Sequence, residues 1–242
     1  MATREAFLGR VRKVMAAAAP LFEASVSSKP VDLVAESENR RARALSDWQA
    51  LVERFQIEFE KVGGAFHRAP DLPRAVDRIV ELARTWEATR VVSWAPEALP
   101  LDLDALRRRG LTVDVASPTI VGPEERAVFR DLLAKAQVGL TSADFALAET
   151  GSLVLLSGAG QGRGVSLLPP YHVAILGKRA LIGGLADLGV YLEALHLDPD
   201  HLLTGSAVQI ITGPSRTADI EQTLTQGVHG PKEVHAIFVD AL

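Results

Sequence analysis

The sequence predicts an α/β protein, a central and mostly parallel sheet flanked by helices, with a helical appendage at its N-terminus. Three observations carry this. Short apolar stretches alternate with segments of helical spacing along most of the chain, the pattern of strands joined by crossover helices. The 242 residues are 48% hydrophobic and 23% charged, enough to bury a substantial core within one domain. Fifteen of the 19 glycines fall after residue 121, so the second half is where the backbone can turn sharply or approach a ligand.

Taken in order, Leu8, Val11, Val14 and Met15 lie on one face of a helix. The basic residues Arg4, Arg10, Arg12 and Lys13 ahead of the weakly apolar run 14–22 mimic a signal peptide only faintly, since the run is alanine-rich, short and broken by Pro20. Residues 25–43 are polar, mixed in charge and aperiodic, and read as a linker. This divides the chain into an appendage, 1–43, and an α/β domain, 44–242. A long helix is expected over 45–62, with Trp48, Leu51, Val52, Phe55 and Phe59 at helical spacing and Gly63-Gly64 to end it. Further helices are expected at 72–85, 101–109, 123–136, 185–195 and 218–225. Strands are expected at 90–94, 111–115, 138–141, 146–148, 153–157, 172–176, 208–212 and 234–239.

Composition narrows the function. A net charge of -4 excludes a dedicated nucleic-acid binder, and no apolar run is long enough for membrane insertion; a cytoplasmic location is expected. The absence of cysteine removes disulfides, thiol catalysis and thiolate-held iron–sulfur clusters. No metal site is expected either, because the six histidines do not cluster.

Four blocks are capable of chemistry. The first runs from Thr141, Ser142 and Asp144 to Glu149, Thr150, Gly151 and Ser152, with carboxylates and hydroxyls around a tight turn. Asp144 there reads most simply as a turn residue satisfying backbone groups, whereas Glu149 sits inside an apolar run and is a candidate general base or nucleophile. The second, 158–164, is glycine-rich and follows a strand, but it lacks a nucleotide-loop fingerprint and no helix is expected after it. Its Arg163 has the geometry to clamp a carboxylate or phosphate, and His172, a lone strand histidine, is either structural or a ligand. The third, Gly213 to Glu221, is expected to open a helix, so that Ser215 or Thr217 caps it and its free N–H groups attract an anion. The fourth, Gly227-Val228-His229-Gly230-Pro231-Lys232, offers His229 as an acid/base group and Lys232 as an anion partner, or is merely a solvated loop.

These blocks in this order, from about Leu45 to the C-terminus, resemble the LUD-domain family, and within it the lactate-utilisation protein C group. The resemblance implies a fold similar to the sugar-phosphate isomerase and CoA-transferase superfamily. It implies a role in oxidising L-lactate to pyruvate, with no intrinsic cofactor, iron–sulfur subunits as partners and a small anionic ligand. The site residues it implies are Glu149 and His229 for catalysis, and Thr150, Gly151, Arg163, His172, Ser215, Thr217, Asp219 and Lys232 for binding. The residues alone leave open a free-standing enzyme that uses Glu149 for acyl transfer or sugar-phosphate isomerisation, or a pure assembly module.

Overall fold

The computed structural model describes residues 32–117, 122–197, 207–218, 224–226 and 230–242, with residues 5, 8–10 and 13 ahead of them; for 216–218 and 224–226 only the backbone is described. Met1–Asp32 and Leu33–Leu242 are two compact units. Residues 5, 8–10 and 13 of the first are helical.

The second unit begins with α1, Leu33–Ser46, and α2, Trp48–Lys61. The linker expected over 25–43 is thus helical from Leu33 onward, and the single helix expected over 45–62 breaks at Asp47. Helix α1 escaped notice because it buries no residue. It is held instead by charge: Arg40 bonds Glu36 one turn back at 2.8 Å and Asp187 at 2.5 Å.

Then follow β1, Ala65–Ala69; α3, Leu72–Thr85; β2, Arg90–Ser93; α4, Leu103–Arg108; β3, Thr112–Val115; α5, Pro123–Lys135; and β4, Val138–Ser142. β5, Phe145–Leu147, and β6, Ser152–Leu156, lead to α6, Gly164–Leu167, and β7, Tyr171–Leu176. The chain closes with β8, Leu181–Ile182; α7, Leu185–Leu197; β9, Val208–Ile211; β10, Arg216–Ala218; β11, Leu224–Gln226; and β12, Glu233–Val239.

Six strands form one sheet in the order β1-β12-β7-β4-β2-β3, every pairing parallel. Its inner strands are buried on both faces and read as continuous apolar runs for that reason. On one face lies α3, whose N-cap Asp71 accepts from Arg74 N–H at 2.9 Å and whose Ala75, Val76, Ile79, Val80, Leu82 and Ala83 are buried. Against the other lies α2, with Phe55 edge-on to Phe66 and Trp48 stacked on Phe238 at 5.9 Å. A second, mixed sheet of order β8-β5-β6-β9 takes the strands expected around 146–157 and 208–212.

Two further expectations fail. The helix over 218–225 is replaced: β10 and β11 pair antiparallel. The glycine-rich loop 158–164 does open a helix, the single turn α6. β1 was not foreseen, because His67 and Arg68 interrupt its apolar pattern. Among the described residues no helix is long and apolar enough to cross a membrane.

Candidate functional site

The motif blocks meet, in part, at the C-terminal turn of α2. Gly151 has φ +62°, and a Cβ there would stand 2.2 Å from the Phe59 nitrogen; at Gly213, φ +84°, it would stand 2.3 Å from the Val62 carbonyl oxygen. Only glycine lets these two turns approach the helix end. Between them runs a chain of hydroxyls, Thr150 to Ser152 at 2.8 Å and Ser152 to Thr212 at 2.8 Å. Glu149 is exposed beside them, with its carboxylate against Gly184, where a Cβ would lie 2.0 Å from Oε2. Ser215 N–H donates to Pro231 O at 3.0 Å, and Lys232, exposed, donates its N–H to Pro170 O at 2.7 Å.

Other expected site residues lie apart. His172 is fully buried, bonded through Nε2 to Thr141 Oγ1 at 2.9 Å, with Nδ1 unpartnered; burial holds it neutral, with a pKa of about 3. Arg163 is exposed at the start of α6. The loop before it lies over the carboxyl end of β2: Trp94 Nε1 donates to Gly162 O, and Ala95 N–H to Gly160 O. Because 216–218 are a strand, Ser215 and Thr217 do not open a helix, and the anion site expected at a helix start there is corrected. The Thr217 side chain, Asp219 and His229 lie outside the described residues.

A pocket of 280 Å³ opens where ligands of open parallel sheets are usually held, at the carboxyl ends of β4 and β7. Ser142 at the end of β4 and Ala143 and Asp144 just after it line the pocket, with Gly177 and Arg179 just after β7 and Arg41 on α1. Arg41 lies over the Tyr191 ring at 4.7 Å and donates to the Arg179 carbonyl. Burial holds its guanidinium below the usual pKa. Ser142 Oγ donates to Ala98 O at 2.6 Å. Burial pushes the Asp144 carboxyl up to about 6, although Leu156 N–H donates to it at 2.7 Å. The arrangement offers guanidinium donors for a small anion and a carboxyl that exchanges its proton near neutral pH.

Sequence reasoning missed Arg41, because it fell in the supposed linker, and took Asp144 for a turn residue. Arg179 was findable: it stands in the Gly177-Lys178-Arg179 turn directly after an expected strand, on the edge where ligands gather.

Comparison with known proteins is consistent across sequence and fold. The LUD domain pattern matches residues 52–239, a span that contains Ser142, Asp144 and Arg179 and starts after Arg41. A "Lactate utilization protein C" of Halalkalibacterium halodurans is 36% identical over 170 residues, which is 70% of this chain and 69% of that protein. One from Geobacillus sp. is 41% identical over 109 residues, covering 45% of this chain and 44% of its own. A crystal structure of a DUF162 family protein from Deinococcus radiodurans shares the fold with a TM-score of 0.50 at 20% identity, covering 79% of this chain and 98% of the other. With more than three quarters of its length inside the matched pattern, the chain belongs to the LUD domain family.

Proposed function

We propose that the chain serves the oxidation of L-lactate to pyruvate as a non-redox, cytoplasmic component that binds a small carboxylate, while iron–sulfur partner proteins carry the electrons. The relatives named for lactate utilisation support the pathway. The sequence contains no cysteine to hold a cluster, which supports the division of labour. The observation that carries the ligand class is the pocket with Arg41 and Arg179 on its wall and Asp144 beside them. In this reading the arginines hold the carboxylate, and Asp144 bonds the neighbouring hydroxyl or keto oxygen, donating or accepting according to its own protonation. Its two hydrogen-bonding states, interchangeable near pH 6, suit both oxidation levels of such a molecule.

Calorimetric titration with L-lactate and pyruvate tests this. Arg179→Ala is expected to weaken binding by about 1.5–3 kcal/mol, the usual scale of a hydrogen bond to a charged group. Failure of the intact protein to bind either acid would end the carboxylate reading.

A further inference from the structure

A cavity of 880 Å³ lies elsewhere, along the open edge of the main sheet, and neither the motif blocks nor the carboxyl-end pocket uses it. Its floor is β1 itself: Phe66, His67, Arg68 and Ala69 all line it. Among the described residues β1 ends the sheet, with β12 on one side and no strand on the other. Ala69 turns its carbonyl toward β12, where it accepts from Asp240 N–H at 2.9 Å. By alternation Phe66 and Arg68 turn their N–H and C=O groups outward, away from β12. An edge of this kind is a template for another extended chain.

The cavity's wall is strongly basic. Arg74, Arg78 and Arg84 project from α3, Arg109 follows α4, and Arg68 stands on β1; five arginines thus face three carboxylates, Asp77 paired with Arg74 and Arg109, Glu81 with Arg78, and Asp240 with Arg68. Arg78 is pre-positioned: its Nε and Nη2 lie 3.2 and 3.1 Å from His67 Nδ1, and Nη1 is 3.0 Å from Glu81. His67 Nε2 in turn meets His235 Nδ1 at 2.9 Å, and His235 Nε2 meets Glu233 at 3.0 Å. Because Arg78 only donates and Glu233 only accepts, the two neutral imidazoles between them point their N–H groups the same way, from the cavity toward Glu233. The Arg84 guanidinium has no hydrogen-bond or ion-pair partner among the described residues.

We propose that this groove docks an extended acidic segment of a partner protein, which adds to β1 as a seventh strand and places its carboxylates among the arginines. An open strand edge explains the length and direction of the groove, and the arginine wall selects the charge of what fills it. The chain's own leading segment does not suit, since residues 1–31 carry Arg4, Arg10, Arg12, Lys13 and Lys29 against Glu5 and Glu23. A second copy of the groove is equally basic and is repelled. The inference stands independently of the lactate reading.

The test uses a fluorescent peptide of alternating Glu and Val, its Lys-for-Glu counterpart, and inorganic tripolyphosphate, with the full chain. Only the acidic peptide is expected to bind, weakening at least about tenfold from low to high salt. The double variant Arg74→Glu/Arg84→Glu, both on the exposed face of α3, is expected to weaken it at least about tenfold as well. Hydrogen exchange at the Phe66 and Arg68 amides is expected to slow on binding. Three results would each overturn the proposal: no peptide binding, as when Arg68 merely guards an edge; equal binding of both peptides; or tripolyphosphate binding without amide protection by the acidic peptide.

Discussion

Asp144 has a largely desolvated carboxyl whose folded-state pKa is about 6, above the ordinary 3.8. The shift has a definite thermodynamic sign. A raised carboxyl pKa means that the folded state binds the proton more tightly, so the stabilisation is complete below the ordinary value and is lost as pH rises through about 6. Above that, the buried charge costs up to about 2–3 kcal/mol, at 1.36 kcal/mol per unit. Asp144→Asn keeps an oxygen for Leu156 N–H and removes the charge, so it is expected to raise the melting temperature at pH 8 and to leave it nearly unchanged at pH 4. Equal shifts at both pH values would contradict this. If Asp144 also serves the ligand, the same variant binds lactate less well: stability and function then pull against each other at one atom pair.

At the scale of elements, glycines with the same residue name have opposite roles. Gly151 combines φ +62° with a backbone nitrogen 2.2 Å from any added Cβ, so Gly151→Ala is expected to destabilise by about 3 kcal/mol or more. Gly189 is exposed inside α7 with nothing within 4 Å of such a Cβ, so Gly189→Ala is expected to stabilise by roughly 0.5–1 kcal/mol. Denaturant unfolding of the two variants decides; a similar effect for both would refute the close approach of the 149–152 turn to α2. Helices with a buried stripe, such as α3 with Val76, Ile79 and Val80, were legible in the sequence because burial writes a period. α1 was not, since its attachment through Arg40 and Asp187 leaves no apolar pattern to read. The stretch after Ser215 carried convincing helix-start chemistry, yet β10 forms there, because pairing with β11 overrides local capping preference. The motif blocks fared similarly: their turns could be placed, but their meeting at the end of α2 depends on long-range packing that spacing does not encode.

At the scale of the whole molecule, three buried or half-buried histidines set the acid response. His67 is held at about 4 by burial and Arg78, His172 at about 3 by burial, and His235 is lowered by burial. Each is depressed in the fold, so each contributes stability that is present above the ordinary value near 6.5 and is lost as pH falls toward its folded pKa. Asp144 opposes them between about 6 and 3.8, but one group is set against three. Acidification from pH 7 to about 4.5 is therefore expected to lower the melting temperature, and a flat or rising profile would show that the imidazoles are less confined than their geometry requires. The parallel class of the sheet was readable from its strand–helix alternation; its order was not, because nothing local announces that β1 pairs with β12. That pairing also dictates when the molecule is completed. The contact between His67 and His235 joins positions 168 residues apart, so the edge of the sheet closes only after a very large loop has been drawn in. Strands β2, β4 and β7 assemble from a compact stretch of sequence, and pulse-labelled refolding is expected to protect their amides before those of β1. Until β12 arrives, Phe66 and the aromatic face of α2 have no Phe238 to rest on, and the unfinished protein carries its stickiest surface for the longest time.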